Sequence, residues 1–294
     1  MIQDITPRRF DGTYHESTPC SEDFLLLFDD GKALINKNSA GEFSFGCVAD
    51  FSAEIFLSES SLKGCRYLFS VDEDRYFLCG PECATILTSF LESGVKTSFF
   101  WENIFQFRTI EPSWMGFVGI TAHQLHLWYE SNRLCSRCGR ALEHGSDERV
   151  LKCPPGEELV YPKISPAIIA AVTDGDKLLL TRYASGPYSR YALVAGFVEV
   201  GESLEETVKR EVFEETGIRV KNIRYYKSQP WGLSSSLLAG YFCELEGDPH
   251  ITIDKKELSE ALWVKRSEIT PPESMISLTA EMIELFRTQS SDLT

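Results

Sequence analysis

No apolar run in this 294-residue sequence approaches the roughly 18 residues that a membrane span requires. The longest, around Phe24–Phe28 and Ala167–Val172, are strand-sized. The first ten residues carry Asp4, Arg8 and Arg9 and lack the apolar core of a secretory signal, so a cytoplasmic protein in a reducing compartment is the expectation, with no membrane partner. Positive charge is scarce too: 29 Lys and Arg against 44 Asp and Glu leave −15, which as a whole repels nucleic-acid backbones and anionic membranes. A polyanionic substrate therefore needs a metal or a local basic track, for which Lys152, Lys163, Arg182 and Arg190 are the available side chains. No GxGxxG follows a strand pattern, which argues against dinucleotide redox chemistry. The nine cysteines are odd in number and scattered, unlike the framework of a secreted mini-protein, so thiols or metal ligands are expected rather than disulfides.

What remains is an ordinary globular composition, 43% hydrophobic and 25% charged, at a length that suits two or three units. Residues 1–118 alternate short apolar runs with polar turns and read as a β-rich domain. Asp23–Phe28, Asp29-Asp30-Gly31 and Lys32–Ile35 suggest a hairpin turning at Asp-Gly, and Arg66–Val71 and Tyr76–Leu78 another around Asp-Glu-Asp. Cys79 and Cys83 form a CxxxC pair with no second pair nearby and read as buried thiols. Residues 119–158 read as a helix from Gly119 to Asn132, a connector, followed by a cysteine cluster. Residues 159–294 open a second β pattern: Pro166–Val172, a turn at Thr173–Asp176, Lys177–Thr181, then Tyr191–Ala195.

Cys135 and Cys138, then Cys153 after fourteen residues, have the spacing of a zinc ribbon, in which two short turns present four thiolates tetrahedrally. The fourth position is Gly156. Three thiolates would need His144, Glu157 or water to complete the site; alternatively the loop has dispensed with zinc.

Ser203-Leu-Glu-Glu206 is a capping box, and Gly217 is a left-handed stop, which predicts a helix from Ser203 to Thr216. At 100° per residue from Leu204, Val208 and Val212 define the buried stripe, yet Glu211 and Glu215 fall in line with it and Glu214 on its edge. Burying carboxylates costs several kcal/mol per ion unless something compensates. Three carboxylates at this spacing offer hard oxygen ligands to Mg²⁺ or Mn²⁺. The alternative is a charged surface helix with Glu206–Arg210 and Arg210–Glu214 pairs.

Gly196, five residues, Glu202, seven residues, then Arg210-Glu-Val-Phe-Glu-Glu-Thr-Gly-Ile218 resembles in every position the box of the Nudix hydrolases. The resemblance implies an α+β protein whose catalytic part is an α/β/α sandwich, here preceded by the β-rich domain and a zinc-ribbon-like insert. It also implies hydrolysis of a nucleoside diphosphate linked to another group. Ser228-Gln-Pro-Trp231, Tyr161-Pro162 and Ala195–Glu202 resemble the NADH pyrophosphatase branch, whose members also remove NAD caps from RNA and form homodimers. Where that branch continues Pro-Phe-Pro, this chain has Gly232-Leu-Ser234. The resemblance would assign the Mg²⁺ or Mn²⁺ ligands to Glu211, Glu215, Glu257 and the Ala195 carbonyl, and the orienting or deprotonation of water to Glu214. Arg210 would position carboxylates. Substrate contacts would fall to Glu148, Tyr161, Phe197, Gln229, Pro230, Trp231, Ser236 and Thr279. Phe197 and Trp231 read equally well as core, and Glu148 as a solvated charge. The replaced Pro-Phe-Pro keeps ADP-ribose or another dinucleotide open as substrate.

Overall fold

The computed structural model describes residues 1–37, 41–52, 57–94, 97–154, 158–184 and 190–288. They fall into two compact units, residues 2–163 and residues from 164 onward together with Met1.

In the N-terminal unit the strands are β1 (Phe10–Asp11), β2 (Phe24–Leu26), β3 (Phe28–Asp29), β4 (Lys32–Lys37), β5 (Phe43–Ser44), β6 (Gly46–Cys47), β7 (Arg66–Val71), β8 (Asp74–Leu78) and β9 (Phe100–Asn103). One sheet runs β1-β7-β8-β2-β6 and a second is built on β3-β4-β5 with β9 beside β4. The β3–β4 hairpin turns at Asp30 (φ 42°) and Gly31 (φ 69°), the paired positive angles that Asp-Gly accommodates. Helices α1 (Val48–Ser52), α2 (Glu59–Lys63) and α3 (Pro81–Glu92) pack on this β core, and α4 (Ser113–Ser131) follows. Helix α4 begins six residues earlier than its sequence pattern suggests. Gly116 and Gly119 read as helix breakers, but both lie against Phe107: a Cβ on Gly116 would stand 2.2 Å from the Phe107 carbonyl, and one on Gly119 2.2 Å from its ring. Close packing offsets the low helix propensity, and α4 is integral to the N-terminal unit rather than a connector. Three short strands, β10 (Glu143–His144), β11 (Leu151–Lys152) and β12 (Leu159–Val160), close the unit.

The C-terminal unit is organised by β13 (Ser165–Asp174). Its residues alternate between two cores: Ile168, Ala170 and Val172 face Val208 and Val212 of α5 (Leu204–Thr216), whereas Ile169 and Ala171 face Met282, Ile283 and Phe286 of α6 (Leu278–Thr288). A strand buried on both sides reads as a continuous apolar run, and the result is a sheet between two helices. β13 pairs in parallel with β17 (Ser236–Leu245), itself antiparallel to β16 (Val220–Trp231). On its other edge β13 meets β15 (Val194–Phe197) and turns into β14 (Lys177–Tyr183), which pairs with β18 (Leu258–Lys265). Strand β15 lies two to three residues beyond the expected Tyr191–Ala195; Ala192 makes only an isolated bridge to Thr181. No described helix is long and apolar enough to cross a membrane.

Candidate active site

Helix α5 starts where its capping box places it: the Ser203 side chain accepts from the Glu206 amide at 3.3 Å and the Glu206 carboxylate accepts from the Ser203 amide at 2.8 Å. It ends at Gly217 with φ 71°. Val208 and Val212 are fully buried, each stabilising by roughly 1.5–3 kcal/mol, and this anchors the stripe that carries the acids inward. Glu215 is only 3% exposed, the Glu211 side chain is 13% exposed and that of Glu214 58%.

Arg210 holds much of this cluster together. It donates to both oxygens of Glu202, at 2.6 and 2.9 Å, to Glu211 at 2.8 Å, to Glu214 at 3.0 Å and to the Phe197 carbonyl at 3.0 Å. The bidentate pair with Glu202 holds that carboxyl down at about 2 and the guanidinium above its usual range. Thus the second and third elements of the motif are tied together, and Arg210 contacts three carboxylates. The Arg210–Glu214 pair of the surface-helix reading also exists, while Glu206 serves the cap.

Gly196 on β15 has a reason that spacing alone does not reveal: a Cβ there would lie 2.0–2.5 Å from the Glu211 carboxylate atoms. The absence of a side chain admits Glu211 against the strand, beside Ala195. A second contributor that the sequence left unassigned is Asp254, whose amide donates to the Glu215 carbonyl at 3.0 Å and whose own carbonyl accepts from the Glu257 amide at 3.1 Å. This turn brings Glu257 into the electrostatic range of Glu211 and Glu215.

The cluster fits a divalent cation on its own chemistry. Burial lifts the Glu211 carboxyl above its usual value. Burial and then the charges of Glu211, Glu257, Asp254 and Glu214 push Glu215 up to about 8. Its buried Oε2 has no hydrogen-bond partner. A buried carboxylate among like charges is costly unless a cation joins it, and the donors are all hard oxygens, as Mg²⁺ and Mn²⁺ prefer.

The substrate-contact expectations divide. Phe197 is 55% exposed, which removes the core reading, and Pro230 is exposed at the end of β16, with the half-buried Trp231 next to it. Gln229 and Ser236 are both buried. Gln229 is fully buried, its amide donating to the Ile276 carbonyl at 2.9 Å and accepting from the Leu278 amide at 2.7 Å, so it fixes the start of α6. Ser236 is buried against Ser234 at 2.9 Å. Thr279 stands half-buried in the first turn of α6, where the Ser277 hydroxyl accepts from the Ala280 amide. In the N-terminal unit the Tyr161 hydroxyl donates to Glu148 at 3.1 Å, both residues exposed. Of the basic side chains, Arg182 pairs with Glu260 and lies over the Tyr191 ring, and Arg190 pairs with Glu273.

Cys135, Cys138 and Cys153 do come together, with sulfurs all within 4.8 Å of one another and those of Cys138 and Cys153 at 3.4 Å. The amides of Arg137 and Cys138 aim at the Cys135 sulfur and hold its thiol below the usual range. Crowding by the other two sulfurs, chiefly Cys138, pushes Cys153 up to about 12. His144 lies outside this group; its ring meets that of Tyr129 in a tilted contact at 5.3 Å, and desolvation lowers it to about 4. Gly156 and Glu157 lie outside the described residues.

The family model for the NUDIX domain matches residues 163–286. A NAD-capped RNA hydrolase, NudC, of Enterobacter sp. (strain 638) is 41% identical over 157 residues, covering 52% of this chain and 60% of the relative. Its counterpart in Photobacterium profundum is 41% identical over 148 residues, covering 50% and 54%. The matched region thus spans little more than half the length of these relatives. Among solved structures, a Nudix hydrolase from Nitrosomonas europaea aligns with a TM-score of 0.45 at 22% identity, over 52% of this chain and 90% of that one.

Proposed function

From the premise that residues 163–286 of this chain are a Nudix domain, we propose that the protein hydrolyses the pyrophosphate bond of NAD(H) to nicotinamide mononucleotide and AMP, and acts likewise on NAD-capped RNA. The observation that carries this reading is the buried, unpartnered Glu215 carboxylate among Glu211, Glu214, Asp254 and Glu257. Support for the substrate comes from the similarity to NAD-capped RNA hydrolases.

Glu211, Glu215, Glu257 and the Ala195 carbonyl would hold Mg²⁺ or Mn²⁺, which would supply the positive charge that two phosphates require in an acidic pocket. Arg210 fixes Glu211 and Glu214 relative to each other. The exposed Glu214 orients the attacking water and accepts its proton at a carboxylate oxygen. The Phe197 ring offers a face on which a base stacks, and the water oxygen ends on phosphorus as the bridging P–O bond breaks. Cys135, Cys138 and Cys153 would hold zinc weakly or not at all, since Gly156 stands where a fourth thiolate would. The protein works as a cytoplasmic homodimer.

A panel of NADH, NAD⁺, ADP-ribose, diadenosine polyphosphates and NAD-capped RNA tests the assignment. Cleavage of the first two and of capped RNA supports it; exclusive cleavage of ADP-ribose or another dinucleotide replaces it with the alternative that Gly232-Leu-Ser234 leaves open.

A further inference from the structure

Glu257 reaches the acidic cluster at the end of a segment, residues 246–257, that joins β17 to β18 without regular secondary structure. Two bonds moor this segment to the last turn of α5. The Thr252 amide donates to the Thr216 carbonyl at 2.9 Å, and the Asp254 amide to the Glu215 carbonyl at 3.0 Å. Carbonyls at a helix end have no partner within the helix, so they take donors from outside it. Asp254 then starts a turn. Its carbonyl accepts from the Glu257 and Leu258 amides at 3.1 and 2.8 Å, and its side-chain Oδ1 accepts from the Lys256 amide, two residues on, at 2.9 Å. That last bond makes an Asx turn, which aspartate and asparagine form and alanine cannot. The Glu257 carbonyl is fixed in its turn by the Ala184 amide at 2.8 Å, just past β14. One residue thus bonds to the backbone of Glu215 and shapes the turn that presents Glu257.

We propose that Asp254 is a positioning residue for the divalent cation: its side chain holds the turn that places Glu257 beside Glu211 and Glu215, and so sets the affinity of the site. The assignment rests on the metal site of the proposed function. Glu211 and Glu215 are held by α5 itself, whereas Glu257 is exposed and carried by a loop, so its place depends on the turn. A ligand that is already ordered loses less conformational freedom when a cation binds. Loosening the turn therefore weakens binding and leaves the chemistry at saturating cation largely intact. Asp254 is itself exposed, so solvent and salt screen its charge, and the turn rather than the charge carries the effect.

The test follows Mn²⁺ binding to the full-length protein by electron paramagnetic resonance, which reads the free ion without any turnover. In Asp254→Ala the dissociation constant should rise at least about tenfold, and in Asp254→Asn, which keeps the turn, it should stay within about threefold of wild type. Glu257→Gln sets the scale. Adding Asp254→Ala to it should weaken Mn²⁺ binding no further, because both changes act through one carboxylate. Melting in a chelator shows whether Asp254→Ala folds; if it does not, Asp254→Ser, whose hydroxyl makes the same turn more weakly, replaces it with an intermediate loss expected. Unchanged binding in Asp254→Ala, a loss in Asp254→Asn as large as in Asp254→Ala, or losses that add in full in the double variant would each overturn the assignment while leaving the metal site standing. Wild-type protein that binds no Mn²⁺ would overturn both.

Discussion

Glu215 sits where an apolar residue would serve the fold better, and its titration makes that cost measurable. Its carboxyl in the native protein is pushed up to about 8, against about 4.3 in an unfolded chain, so between those values the native state binds more protons than the unfolded one. Stability of the metal-free protein therefore falls as pH rises from about 5 to about 8, by on the order of several kcal/mol in full. Glu215→Gln removes that slope: thermal melts in a chelator should show the variant more stable than wild type at pH 8, with the difference closing near pH 5, and parallel profiles would contradict the burial argument. Turnover moves the other way, falling by orders of magnitude in the same variant. Retention of activity within about tenfold, or 1.4 kcal/mol of barrier, would remove Glu215 from the metal site. Gly196→Ala separates position from fold. The added carbon meets the end of a flexible side chain, Glu211, rather than backbone, so the melting temperature should change by only a few degrees while kcat drops more than about tenfold. An active variant would mean that Glu211 works from elsewhere.

Among the elements, α5 could be read residue by residue because local rules and function agree there: cap, apolar stripe, misplaced acids and C-terminal glycine all fall at fixed spacing. What spacing could not give was the role of Gly196, which depends on a strand crossing the helix, or the bonds from Gln229 to Ile276 and Leu278 at the start of α6. Helix α4 was misjudged at its start because a glycine's tertiary partner, Phe107, is invisible to helix propensity. The turn Gly232–Ser234 is a 3₁₀ segment followed by Ser235 at φ 52°. Proline at 234 disfavours that helical conformation of Leu233, so Pro-Phe-Pro at these positions demands another path. Converting Gly232→Pro, Leu233→Phe and Ser234→Pro together should lower the KM for NADH with kcat little changed, as expected for uniform binding; an unchanged KM would detach this turn from substrate recognition. The ribbon is a second element in which chemistry outruns sequence pattern. Three sulfurs converge, but three thiolates without a fourth protein sulfur hold zinc less firmly than four. Elemental analysis of protein purified without added metal should therefore find no zinc or zinc that a mild chelator removes, and near-stoichiometric zinc surviving that treatment would contradict weak binding.

At the scale of the whole molecule, the C-terminal unit was readable since a buried central strand and a catalytic helix leave strong periodic and spacing signals. The N-terminal unit was readable as β-rich and in two hairpins, at Asp30-Gly31 and around Asp72–Asp74, but no further. Its short strands, two to six residues each, carry little periodicity. The net charge of −15 makes the metal the point on which the account turns: without a cation the pocket repels a pyrophosphate. The most direct measurement incubates the purified protein with NADH, with and without Mg²⁺ or Mn²⁺, and resolves the products by chromatography, with Glu215→Gln run in parallel. The account predicts AMP and reduced nicotinamide mononucleotide in equal amounts, only with the divalent ion and only in the wild-type protein. Cleavage that persists in excess chelator, or an intact NADH under all conditions, would contradict it.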